Sequence, residues 1–93
     1  MSTPIHTHLT HEVADFNTWK PSFDAGAALR DKHGIKIHGV YQAHDNPNLV
    51  TVHAEMAHPG VMSEFMNDPE AQATMKDAGV IGRPDMRLLT RHS

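Results

Sequence analysis

The chain has 93 residues, 8 of them basic and 11 acidic, a net charge of −3 with histidines neutral, and no cysteine. That length supports one domain, 1–93, with an adequate core and little surplus. The acidic balance and the absence of a basic stripe exclude nucleic acid as the expected partner, and the missing cysteine excludes disulfides, thiolate metal sites and a cysteine nucleophile.

The N-terminus Met1-Ser2-Thr3-Pro4 has no basic region followed by an apolar core, so no signal peptide is expected. No apolar stretch approaches the roughly 18 residues of a membrane span. The expectation is a cytoplasmic protein with no membrane partner. Ile5 to Val13 alternates as a first strand, with Ile5, Leu9 and Val13 on one face and His6, His8 and Thr10 on the other. Asp15 reads as a helix N-cap, followed by Phe16, Trp19, Phe23 and Ala27 at the spacing of a helix lying on a sheet. Pro21 would kink that helix, unless Thr18 is the true cap and Pro21 lies in the first turn. Lys32-His33-Gly34 closes it, with basic residues in the last turn before a glycine.

Ile35 to Ala43 reads as a second strand with Ile35, Ile37 and Tyr41 on its apolar face, and His44 to Asn48 as a turn. Leu49 to Met56 is a third strand. It turns Val50, Val52, Ala54 and Met56 one way and Thr51, His53 and Glu55 the other. A second helical region from Pro59 to Ala78 is interrupted at Asn67-Asp68-Pro69-Glu70, where Asp68 can cap a fresh helix with Pro69 in its first position. Gly79 ends it, and Asp85 to Thr90 forms a last strand.

The order β-α-β-β-α-β is the ferredoxin-like pattern: an α+β fold with a four-stranded antiparallel sheet, strand order 4-1-3-2, and two helical regions on one face. The segment His11-Glu12-Val13-Ala14-Asp15-Phe16-Asn17-Thr18-Trp19-Lys20 resembles the opening of small dimeric α+β-barrel proteins. So do Gly34-Ile35-Lys36-Ile37-His38-Gly39-Val40-Tyr41, the turn from Asp45 to Val50, and the stretch from Pro69 to Pro84. Members are called cyclases or antibiotic-biosynthesis-monooxygenase-like proteins. The resemblance implies a homodimer with a pocket for a small organic molecule and cyclase-like or cofactor-free monooxygenase-like chemistry. His11 and His38 fall within the family pattern; His6, His8 and His53 do not.

Nine histidines are the compositional anomaly, and imidazole can ligate a metal, move a proton or change charge near neutral pH. If the hairpin loop runs from Ala43 to Asn48, Gln42 faces Leu49 and His38 falls directly opposite His53. Opposed side chains have Cβ atoms about 4.5–5.5 Å apart. His6 and His8 share that face by alternation, and Glu55 is two residues along from His53. One expectation is therefore a site for Zn²⁺, Cu²⁺, Ni²⁺ or Fe²⁺ built from His38, His53, His6 or His8, and Glu55. A second is a metal-free site in which His11, His38 or His53 acts as a catalytic base. A third is a wet dimer interior in which neutral histidines hydrogen-bond to Thr10, Thr51, Gln42 or water, and a fourth is a non-enzymatic binding module whose histidines respond to pH. His11 follows the Leu9 face toward the helices, near Trp19; Trp19 and Tyr41 are core residues or the lining of a substrate pocket.

Overall fold

The computed structural model describes residues 4–92. In chain order its elements are β1 (Ile5–Val13), α1 (Phe16–Ala25), α2 (Ala27–Lys32), β2 (Lys36–Ala43), β3 (Asn46–Met56), α3 (Pro59–Met66), α4 (Pro69–Asp77) and β4 (Val80–Thr90). The strands form one antiparallel sheet in the order β2-β3-β1-β4; α1–α2 and α3–α4 are the two expected helical regions, the second divided at Asp68 as expected and the first divided at Gly26. The sheet order and the split α+β architecture follow the expectation from the chain.

Strict alternation in β3 sets the core. Val50, Val52, Ala54 and Met56 are buried, while Thr51, His53 and Glu55 are only partly covered on the opposite face. Val50 and Val52 pack with Val13, Trp19 and Ala78; Ala54 and Met56 pack with Ile35, Val61 and Met62.

The helix ends obey local chemistry. Asp15, rather than Thr18, caps α1: its carboxylate accepts from the Asn17 N–H at 3.1 Å, and the Thr18 hydroxyl donates to it. The Asn48 side chain accepts from the Phe16 N–H at 3.0 Å, so β3 also satisfies the start of this helix. Pro21 is therefore inside α1. Gly26 separates α1 from α2, and beyond it Ala27 is exposed while Leu29 and Arg30 are partly covered. Asp68 caps α4 as expected, accepting from Glu70 N–H. His33, at the end of α2, also binds Asp68, with Nε2 2.9 Å from Oδ2. This contact ties the two helical pairs together and holds the Asp68 carboxyl below its usual pKa, the Glu70 N–H adding to the effect.

The β2–β3 hairpin departs from expectation. Its turn is His44-Asp45 alone, because Ala43 pairs with Asn46. The register shifts between Ile37 and Gly39: Ile37 faces Ala54, but Gly39 faces His53. His38 is the inserted residue of a β-bulge, and it does not stand directly opposite His53. The bulge resets the alternation of β2, so Val40 rather than Tyr41 faces the core. Tyr41 is 56 % exposed on the open face, and its ring lies over Gly39, where an added Cβ would come within 2.7 Å of the phenol oxygen. A second shift follows between Gln42, which faces Val50 rather than Leu49, and Ala43; a third lies between Thr10 and Glu12 of β1, opposite the stretch of β4 holding Gly82 and Pro84. It lets β4 begin at Val80, earlier than expected. Pro84 is tolerated because β4 is an edge strand.

Met56→Ala should destabilise the fold by about 2–5 kcal/mol, as truncation of a buried methionine does. Urea denaturation followed by circular dichroism measures it, and a loss below ~1 kcal/mol would mean that this end of the core refills the space.

Candidate functional site

The two faces of the sheet carry different chemistry. Between sheet and helices lies a cavity of about 80 Å³ whose wall is nearly all apolar. Trp19, Phe23 and Leu29 close it from one helical pair; Met62, Phe65, Met66 and Met75 close it from the other. Four polar side chains interrupt that wall: Thr7 and His11 from β1, Arg30 from α2, and Thr74 from α4, whose hydroxyl donates to the Glu70 carbonyl. Thr7 is 1 % exposed and His11 5 % exposed. Among the described residues, the Thr7 hydroxyl and both His11 ring nitrogens are the buried side-chain polar atoms without a hydrogen-bond partner. Buried polar atoms almost always find partners, so these orphans mark a place where a ligand or water is wanted. The His11 ring meets Trp19 edge-on, with centroids 5.4 Å apart. The Arg30 guanidinium lies 3.9 Å over the Phe23 ring, a cation held at the cavity's edge.

Burial pushes the His11 pKa down, because the cavity disfavours the imidazolium. The ring is therefore a neutral imidazole at pH 7, able to accept a proton from a bound molecule. Trp19 and His11 stand where the chain pattern put them. Tyr41 does not line the cavity, since the bulge at His38 turns it outward. Thr7 and Arg30 join the wall without a place in the chain pattern. The signal for Thr7 was present: it is a hydroxyl between Ile5 and Leu9 on the apolar stripe of β1.

On the open face, the histidines do gather. His6 faces Glu55 and His8 faces His53 across β1–β3. His6 Nδ1 is 3.0 Å from His53 Nε2. His38 Nε2 is 2.8 Å from Glu55 Oε1, and His6 Nε2 is 3.9 Å from the same oxygen. The His38 and His53 rings lie 5.0 Å apart, and His8 meets His53 edge-on at 5.0 Å. Of the five side chains expected to converge, His6, His38 and Glu55 form a set whose ligating atoms are all within 4.8 Å of one another. His53 and His8 flank that set. Burial, then repulsion from His8, His38 and His6, pushes the His53 pKa down. The His38 hydrogen bond holds the Glu55 carboxyl below its ordinary range, and the charges of His38, His6 and Lys36 act in the same direction.

No family model matches the chain, and no curated protein sequence does either. Solved structures do. A candidate antibiotic biosynthesis monooxygenase from Bordetella bronchiseptica superposes with a TM-score of 0.82 at 13 % identity, covering 99 % of this chain and 100 % of that one. A candidate antibiotic biosynthesis monooxygenase from Caulobacter crescentus gives 0.76 at 14 % identity, covering 99 % and 92 %. SnoaB from Streptomyces nogalater, a cofactor-independent oxygenase, gives 0.78 at 14 % identity, covering 99 % and 96 %. At such identities the likeness concerns the fold. The chain has the ferredoxin-like α+β fold of antibiotic-biosynthesis-monooxygenase-like proteins.

The buried imidazole makes stability depend on pH with a definite sign. An unfolded histidine titrates near 6.5, whereas folded His11 resists protonation, so below that pH the unfolded state binds more protons. Stability therefore rises with pH in the window below about 6.5 and is lost on acidification through it. Comparing urea melts between pH 5 and 7.5, His11→Leu should flatten the slope relative to the parent chain. An unchanged slope would show that folded His11 takes up a proton as readily as it does in the unfolded chain.

Proposed function

We propose that the chain binds a small, largely apolar organic molecule in the cavity between sheet and helices, with His11 as its acid–base group. The observation that carries this reading is the pair of buried, unpartnered polar side chains, His11 and Thr7, in a largely apolar wall. An engineered apolar cavity of ~150 Å³ binds benzene and stays dry. The cavity here is smaller, but Met62, Met66 and Met75 line it, and unbranched thioether side chains repack readily around a guest. A ligand offering a hydroxyl or carbonyl to His11 and Thr7 would satisfy groups that are otherwise desolvated without compensation.

The reaction class best supported is a cofactor-independent, monooxygenase-like one. When oxygen reacts without metal or flavin, the electrons must come from the substrate itself, so the substrate must first lose a proton to become an electron-rich anion. A neutral buried imidazole suits that removal, and Arg30 stands close enough to the wall to favour an anion. The cofactor independence of SnoaB agrees with this reading. A cyclase-like reaction through the same enolate would need the same base.

The working unit in this reading is a homodimer joined through the open face, where Tyr41, Leu49, Ile81 and Leu89 are exposed. Sedimentation should give twice the chain's 10.3 kDa mass, and Leu89→Glu should shift it toward the monomer. A monomer at 100 µM would remove the dimer from the proposal.

Titration with an aromatic ketone such as 1-tetralone tests the cavity. With methionine methyls labelled for NMR, Met62, Met66 and Met75 should shift while Met86 should not. Oxygen consumption with hydroxylated aromatic ketones, measured under chelator, should fall at least ~100-fold in His11→Leu. Methyl signals that ignore every such compound would sink the reading.

A further inference from the structure

On the sheet face turned away from the cavity, three adjacent strands deliver His6, His38 and Glu55 to one spot. We propose that these three side chains bind one divalent transition-metal ion, with His53 holding His6 in its ligating orientation.

The geometry is close to what a metal needs. Metal–nitrogen bonds of about 2.0–2.1 Å place neighbouring donors in a tetrahedral site roughly 3.3 Å apart. The Glu55 Oε1 is 2.8 Å from His38 Nε2 and 3.9 Å from His6 Nε2, so movements of about an ångström in exposed side chains suffice. Ligation through His38 Nε2 would replace its hydrogen bond to Glu55 Oε1, the neutral ring then carrying its proton on Nδ1.

The roles of the two nitrogens of His6 are already divided. Nε2 points toward Glu55, and Nδ1 is engaged by His53 Nε2 at 3.0 Å. A ligating histidine characteristically anchors its other nitrogen in such a hydrogen bond, which fixes the tautomer and the ring plane. His53 is thus a positioning residue rather than a ligand.

The bulge supplies an independent indication. Regular pairing would set His38 opposite His53; the inserted residue instead leaves Gly39 there and carries His38 toward Glu55. Bulges recur where a strand must re-aim a side chain. Gly39 then leaves the strand bare beside the cluster, and the Tyr41 ring covers it.

Two imidazoles and one carboxylate, without sulfur, form a set of net charge −1 that suits first-row divalent ions and leaves coordination positions for water or an external ligand. Lys36 faces Glu55 across the hairpin and opposes an incoming cation, but its exposed position lets it swing away. The sheet backbone separates this site from the cavity, so metal binding and cavity binding can fail independently; the proposed homodimer would close over this face and place the site at its interface.

The test uses the full chain without a polyhistidine tag, stripped by chelator, then titrated with Co²⁺ by visible absorption and with Zn²⁺ by calorimetry. One ion per chain with micromolar or tighter affinity is expected. His38→Ala and Glu55→Gln should each weaken binding more than tenfold. His38 is exposed and Glu55 partly so, so neither change touches the core; His38→Gln offers a bulkier variant with the same expected loss. His53→Ala should cost roughly tenfold and shift the Co²⁺ bands, and His53→Gln, still able to hydrogen-bond Nδ1, should restore most of both. His8→Ala should leave affinity within about twofold, since it would remove neither a ligand nor a ligand's anchor. Stoichiometry well below one ion per chain would overturn the proposal. So would binding that survives both His38→Ala and Glu55→Gln, or that disappears when exposed His44, His58 and His92 are replaced. Unchanged methyl shifts with 1-tetralone in Glu55→Gln would show the cavity reading standing on its own.

Discussion

The alternation of β3 is the constraint from which everything else is built. It is a central strand, paired on both sides, so its period of two cannot slip without moving every side chain to the wrong face. Val50, Val52, Ala54 and Met56 commit one face to the helices. Thr51, His53 and Glu55 then have no choice but the other, and the neighbouring strands inherit the same division. A polar cluster and an apolar cavity can therefore sit back to back across a single layer of backbone. Each would disrupt the other if they shared a side.

Most of this division is legible from the residues. Strong alternation in β1 and β3, the capping residues Asp15 and Asp68, and the glycines after α2 and α4 each reflect a local preference that agrees with the tertiary structure. The gathering of His6, His38, His53 and Glu55 was readable for the same reason. The irregularities of the strands are not legible in the same way. A bulge leaves no compositional mark that distinguishes Lys36-Ile37-His38-Gly39 from an ordinary strand, and glycine at 39 hints at it only weakly. That one insertion moved Tyr41 from the core side to the open face and displaced His38 from opposite His53. The contact of His33 with Asp68 joins residues 35 apart in the chain, and no spacing rule reaches that far. Arg30 was hidden because Gly26 breaks the helical stripe, so the run from Phe16 to Ala27 does not extrapolate to the residues beyond it.

The two sites also differ in how they are held. Thr7 and His11 lie within β1, a strand paired on both sides, so their positions are set by the backbone rather than by flexible loops. The opposite wall of the cavity consists mostly of helix-borne methionines and aromatics, with Arg30 and Thr74 among them. One side is rigid and polar, the other soft and apolar. Such a division lets a guest be oriented by fixed groups while its bulk is accommodated by moving ones.

That softness carries a chemical liability. In a chain without cysteine, thioether sulfur is the most readily oxidised side-chain atom, and three of the chain's six methionines line this one cavity. Conversion of Met62, Met66 or Met75 to its sulfoxide would set a strong dipole into the wall and stiffen the side chain that carries it. The cavity would then favour water over an apolar guest. The apolar character of the cavity in oxidising surroundings is therefore bounded by these sulfurs, and the fold could outlast it.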